Sequence, residues 1–322
     1  MANFLYNPYT KPKNSIFFGL YIFDQRSKCY YSILYHALKS LSNSVSSILS
    51  ANFDVVVYYC VHPDVEFDIL SHEVNENNLF KDFPNVKFVN YTFSHDPNKH
   101  PNDKFLFKWS ALDHFFENFN YNVSLVLDSD VHFFDDPSTF FDNYNDPHSI
   151  FGIYESTPPE IKSGLNLSHD CYNGGQFYLS RECYNQLKPL CSNISSISKA
   201  FCSQAKSKDL PKFIQNNISL WGDQISISHL ISQTSLARKS FQNTHISYGS
   251  PYCIDLHKHG YTISSNTIIV HYLSGASWLF LSKDEKSEHH MLKLSHEKLN
   301  KRLNQLQHKN KTKFKYHQTY LL

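Results

Sequence analysis

Two carboxylates one residue apart, Asp128 and Asp130, close an apolar run, Leu125-Val-Leu-Asp128-Ser129-Asp130-Val-His-Phe-Phe134. Alternate residues of an extended segment point the same way, so both acids can reach one hard cation and, through it, a diphosphate. The run has the character of a buried parallel strand that ends at the carboxyl edge of an α/β sheet, where ligands commonly sit. Strand-closing Asp residues also serve as turn formers or helix caps, and that alternative stands beside the chemical one. Near the far end of the chain, Ile268-Ile-Val-His271-Tyr-Leu-Ser-Gly275-Ala-Ser-Trp278 sets a histidine at the end of another apolar stretch, ahead of a small-residue loop. A lone histidine there is ordinarily a satisfied core or edge residue. Opposite a carboxylate pair it is also a third metal ligand, and oxygen ligands with one imidazole suit Mn²⁺, with Mg²⁺ as the substitute.

Two further segments carry polar punctuation. In Tyr172-Asn173-Gly174-Gly175 the paired glycines let backbone approach a ligand closely, and Asn supplies both donor and acceptor; a plain turn before a strand is the alternative. Trp221-Gly222-Asp223-Gln224 opens a helix striped by Ile225, Ile227 and Leu230, where Asp223 acts either at a site or as an N-cap.

The elements that must position these residues alternate between strand and helix. Strands are expected at Ile16–Phe23, Val55–Tyr59, Val86–Val89, Val123–Leu127, Ile150–Tyr154, Gln176–Leu179 and Thr267–Tyr272, with helices at Tyr31–Leu41 and Asp103–Asn118. Strands separated by helices predict an α/β fold with a mostly parallel sheet and right-handed crossovers. No linker divides the chain, and no internal repeat is present. Residues 1–14 form a flexible N-terminal segment, 15–282 one catalytic domain, and 283–322 a basic helical tail.

Composition narrows the function classes. The chain has 322 residues, is 41% hydrophobic and 18% charged, and carries a formal net charge of +1, which is not the signature of a dedicated nucleic-acid binder. With only 9 glycines it contains neither G-x-G-x-x-G nor G-x-x-x-x-G-K-[ST], so phosphate must be held another way. The 7 cysteines are odd in number and form no C-x-x-C, which favours a reducing, cytoplasmic compartment over a disulfide framework or zinc site. The first apolar run is too short for a signal or spanning helix.

In the tail, Leu292, Leu299, Leu303 and Leu306 share one helical face, and Lys298, Lys301, Arg302, Lys309, Lys311, Lys313 and Lys315 follow without an acid among them. Such a stretch, 291–315, either lies on an anionic membrane surface as a peripheral contact or packs on the domain or on a second subunit of a homodimer.

Taken in order, Asp128-Ser-Asp130, Asn173-Gly-Gly175, Asp223-Gln224 and His271-Tyr-Leu-Ser-Gly275 resemble the motifs of the GT-A glycosyltransferases, especially the retaining family-8 type, over about Ile16 to Trp278. The resemblance implies a Rossmann-like GT-A domain that moves a hexose or pentose from a nucleotide-diphosphate sugar, by preference a UDP-sugar, to a glycan or lipid-linked hydroxyl. It implies Asp128, Asp130 and His271 as Mn²⁺ ligands and Asp223 and Gln224 as the groups beside the reacting sugar. Donor contacts fall on Asp24 and Tyr30 at the base, and on Ser129, Asn173, Gly174, Gly175, Gly275 and Trp278. The chain departs from the pattern where a lysine usually grips the diphosphate: Ser277 precedes Trp278, and Ser274 stands where glycine is common. Lys108 or the tail takes that contact instead. Two alternatives remain open from the residues: a HAD-type phosphatase with Asp128 as nucleophile and Asp130 as acid/base, and a non-catalytic sugar-binding module on the same fold.

Overall fold

The computed structural model describes residues 13–45, 52–73, 76–94, 103–133, 135–144, 146–155, 157, 159, 162–163, 167, 169–191, 224–241, 246–249 and 268–272. Asp223, Gly275, Trp278, the N-terminal residues 1–12 and the whole tail 283–322 lie outside them.

Seven strands form the main sheet in the order β3-β2-β1-β4-β7-β6-β8. They are β1 (Lys13–Ile22), β2 (Phe53–Val61), β3 (Lys87–Asn90), β4 (Tyr121–Leu127), β6 (Ser149–Glu155), β7 (Cys171–Ser180) and β8 (Ala237–Ser240). Pairings β1·β2, β2·β3, β1·β4 and β6·β8 are parallel, whereas β7 runs antiparallel to both β4 and β6. The expectation of a mostly parallel α/β sheet flanked by helices therefore holds, with β7 as the one reversed strand. A three-stranded sheet, β5-β10-β9, adds β5 (Val131–Phe133), β9 (Ile246–Gly249) and β10 (Ile269–Tyr272).

Helices cover both faces of the large sheet. On one face α1 (Cys29–Ser44) buries Tyr31, Leu34, Ala37, Leu38 and Leu41 against Ile16, Phe18, Val55 and Val57. On the other, α3 (Phe107–Asn118) buries Phe107, Trp109, Leu112, Phe115 and Phe116 against Phe17, Val56, Val126 and Phe177. Alternate residues of β1 and β2 thus feed two cores, which is why those strands read as unbroken apolar runs. A one-turn helix, α2 (Leu79–Asp82), is capped by Asn78, whose side chain accepts from the Phe80 and Lys81 amides. Helices α4 (Ser138–Asn143), α5 (Arg181–Cys191) and the stretch over 224–232 complete the elements. No helix among the described residues is long and apolar enough to cross a membrane.

One expectation is corrected. Asn173-Gly174-Gly175 lies inside β7, not in a turn ahead of it, since β7 begins at Cys171. Every residue of β7 is buried, and at Gly175 the crowding leaves no space for a Cβ.

Candidate metal and donor site

β4 delivers Asp128 to the carboxyl edge of the sheet, and the short β5 begins only three residues later. β10 pairs antiparallel with β5, with His271 opposite Val131, so two residues far apart in the chain are brought face to face by three ladder pairs. His271 Nε2 lies 3.1 Å from Asp130 Oδ1. One ligand atom each from Asp128, Asp130 and His271 fall within 4.8 Å of one another. The backbone of β5 is itself fastened to α1, because the Phe133 amide donates to Ser40 Oγ at 3.0 Å.

The donor set fits a divalent cation of the Mn²⁺ type: two carboxylates and an imidazole on a wall that also carries cleft surface. His271 is 3% exposed and the Asp130 side chain 18%, so this half of the site is largely shielded from water, whereas the Asp128 side chain is 43% exposed and faces the cleft. Burial pulls the His271 imidazole toward the neutral form, and the Asp130 and Asp128 carboxylates more than reverse it, leaving its pKa above the ordinary histidine value.

Lys108, in the first turn of α3, comes from the opposite wall. Its ammonium donates to Asp128 Oδ1 at 2.6 Å and to the Gly174 carbonyl. The lysine is 7% exposed, so it is a buried cation held by one carboxylate and one backbone oxygen. β7 supplies the rest of the frame. The Gly174 amide donates to Gln224 Oε1 at 2.7 Å, the Gly175 amide to Asn173 Oδ1 at 2.7 Å, and the Asp128 amide to the Gly175 carbonyl at 2.7 Å. Gln224 is 8% exposed at the start of the helix over 224–232.

Beside the carboxylates opens a cleft of about 280 Å³. It is lined by Asp128, Ser129 and Asp130, by Lys104 and Lys108, and by the rings of Tyr21, Phe23, Tyr30 and Phe107. The Tyr21 and Phe107 rings stack at 5.1 Å, and the Lys104 ammonium sits 4.3 Å over the Phe23 ring. Burial, followed by the charge of Asp130, pushes the Tyr30 hydroxyl well above its ordinary pKa, so it stays protonated. Asp24 is exposed and its Oδ1 accepts from the Ser27 amide at 2.7 Å, which places it in the turn leading into α1.

Of the residues singled out from the sequence, the structure gathers Asp128, Ser129, Asp130, His271, Lys108, Asn173, Gly174, Gly175, Gln224 and Tyr30 about one edge of the sheet. Lys104, Tyr21 and Phe107 were not anticipated there. Lys104 stands one helical turn before Lys108, a spacing that could have flagged it; the aromatics carry no signal that separates a cleft wall from a core.

No family model matches the chain, and no curated protein matches it. Among solved structures it is similar to the galactosyltransferase LgtC determined with donor and acceptor sugar analogs, at 14% identity over 81% of this chain and 88% of that one, with a TM-score of 0.47. It is similar to the glycosyltransferase GlyE of Streptococcus pneumoniae TIGR4, at 12% identity over 82% of this chain and 55% of that one, TM-score 0.47. Mouse xyloside xylosyltransferase 1 is similar at 13% identity over 80% of this chain and 97% of that one, TM-score 0.49. At such identities, activity has to be sought in the residues of the site.

Proposed function

We propose that the chain is a metal-dependent GT-A glycosyltransferase that moves a sugar from a nucleotide diphosphate, by preference a UDP-sugar, to an acceptor hydroxyl. The observation that carries this is the meeting of Asp128, Asp130 and His271 within 4.8 Å at one end of a cleft with two lysines and an aromatic wall. A nucleotide offers an aromatic base and a diphosphate, and the cleft has a complementary surface for each. The phosphatase alternative has no role for His271.

In the transfer, the anomeric C–O bond to the diphosphate breaks, the acceptor oxygen forms the new C–O bond, and the acceptor proton is released. Asp128, Asp130 and His271 hold the cation, which when bound stabilises the charge growing on the leaving diphosphate. Lys108 adds a second positive charge at that point, taking the place of the lysine missing before Trp278. Gln224 fixes the Gly174 amide and with it the carbonyl that holds Lys108. Asp223 is assigned to the developing positive charge on the sugar, with retention of configuration, on the family resemblance alone. A lipid-linked or glycan acceptor, and contact of 291–315 with an anionic membrane, belong to the same proposal.

The test is a panel of UDP- and GDP-sugars incubated with Mn²⁺, with released nucleotide read by mass spectrometry. Release from one donor that stops with EDTA and returns with Mn²⁺ supports the proposal. Undiminished release in EDTA contradicts it, and phosphate release from phosphomonoesters with no nucleotide-sugar turnover would favour the phosphatase.

A further inference from the structure

A glycine in the interior of a strand weakens it, and Gly175 sits within a strand buried along its whole length. Its backbone is not in the left-handed region, so conformational freedom is not what the position requires. Space is. A Cβ on Gly175 would stand 2.2 Å from His271 Cε1, 2.8 Å from His271 Nε2 and 2.9 Å from Asn173 Oδ1. The imidazole therefore rests directly on the bare Cα, with Asp130 Oδ1 at 3.1 Å as its hydrogen-bonding neighbour. Both backbone groups of Gly175 are engaged within the protein: its amide donates to Asn173 and its carbonyl accepts from Asp128.

We propose that Gly175 is a positioning residue for the cation site: it does not contact the donor but holds the His271 imidazole in reach of the metal. The clash of a methyl group at 175 falls on the far end of a side chain, so the ring can swing away while the strand stays paired. A single added carbon then removes the third ligand from an otherwise folded protein. This inference rests on the proposed cation site.

The test compares the full chain with its Gly175→Ala, His271→Ala and double variants, and with Gly152→Ala. The last is a crowding control in the same sheet, since a Cβ there would lie 2.7 Å from Tyr172 Cδ1, on a residue outside the site. Mn²⁺ binding is followed by electron paramagnetic resonance, with spin-echo modulation from a bonded imidazole nitrogen as the signature of His271, and folding by thermal melts. The unaltered chain should bind Mn²⁺ with nitrogen modulation. Gly175→Ala should lose the modulation and bind about tenfold or more weakly. Gly152→Ala should melt earlier and keep both. Adding Gly175→Ala to His271→Ala should leave affinity unchanged and lower the melting temperature less than Gly175→Ala does alone, because the ring is gone and only the approach to Asn173 Oδ1 remains. That comparison decides the matter even if Gly175→Ala alone fails to fold. Retained modulation in Gly175→Ala, or an equal loss of stability with and without His271, overturns the inference. Absence of Mn²⁺ binding by the unaltered chain instead sinks the cation site itself.

Discussion

The two edges of the main sheet each carry a cluster of charge, and they are built differently. At the leading edge, Asp54 on β2 accepts from the Lys87 ammonium and from the Tyr121 hydroxyl, each at 2.9 Å, and Lys87 also donates to Tyr121 at 2.9 Å. One carboxylate meets one ammonium and one hydroxyl, and the triangle closes on itself. At the trailing edge Asp128 is paired with the Lys108 ammonium and Asp130 with the His271 imidazole. The first cluster is neutral with its main hydrogen bonds made. The second sets its ion pairs beside an open cleft, where a divalent cation could take the place of the proton on His271 and draw on both carboxylates. A polar cluster closed on itself among the strands contributes to stability; titratable groups perturbed by one another at a cleft are a candidate for function.

The comparison breaks most sharply at Asp130. Asp130→Ala should reduce Mn²⁺ affinity by more than about 100-fold, exceeding the loss seen when groups behind a ligand are removed, and should abolish transfer. Unchanged binding by calorimetry would show that the carboxylate pair serves something else.

A second effect is set by pH. His271 has a raised pKa in the metal-free protein, so its pairing with Asp130 contributes stability that is fully present below the unfolded value near 6.5 and is lost as pH rises through the folded value. A metal requires the neutral ring and must displace that proton. Mn²⁺ affinity should therefore rise about tenfold per pH unit below the folded pKa and level off above it. A flat profile would remove His271 from the ligand set.

The third concerns Lys108, which competes with the cation for Asp128. Lys108→Met should tighten Mn²⁺ binding in the absence of donor by about fivefold, equivalent to roughly 1 kcal/mol for a contact whose acid is partly exposed. Nucleotide-sugar turnover should nevertheless fall, because the charge at the diphosphate is lost. Loss of both together would place Lys108 in the fold and not in the chemistry.

The smallest effect belongs to the closed cluster. Tyr121→Phe removes the hydroxyl's hydrogen bonds with Asp54 and Lys87, which keep their own ion pair, and should cost about 1 kcal/mol, or about 2 °C in Tm, without altering Mn²⁺ affinity or turnover. A change in metal binding would mean the two edges are coupled through β4.

What could be read from the chain follows the length of its signals. Asp128 and Asp130 were legible because the apolar residues of β4 announce a buried strand, and His271 because three apolar residues precede it. Lys108 was reached only as a substitute for the lysine missing before Trp278, and the structure sets its ammonium on Asp128. The second sheet was not fully legible: β5 spans three residues and β9 four, too short for any periodicity to register. Asn173-Gly-Gly175 reads as a segment ahead of a strand because glycine pairs ordinarily interrupt one. Its place inside β7 follows from pairing with β4 and β6, and the His271 ring against Gly175 comes from a segment distant in sequence.

The central claim is that Asp128, Asp130 and His271 hold one divalent cation for a nucleotide diphosphate. Crystals grown with Mn²⁺ and UDP, measured for the anomalous scattering of manganese, test it most directly. The account predicts one strong anomalous peak bonded to Asp130, His271 and Asp128, with the diphosphate on its cleft side and the Lys108 ammonium turned toward phosphate. Manganese bound elsewhere, or UDP bound in the cleft with no metal between these three side chains, would contradict it.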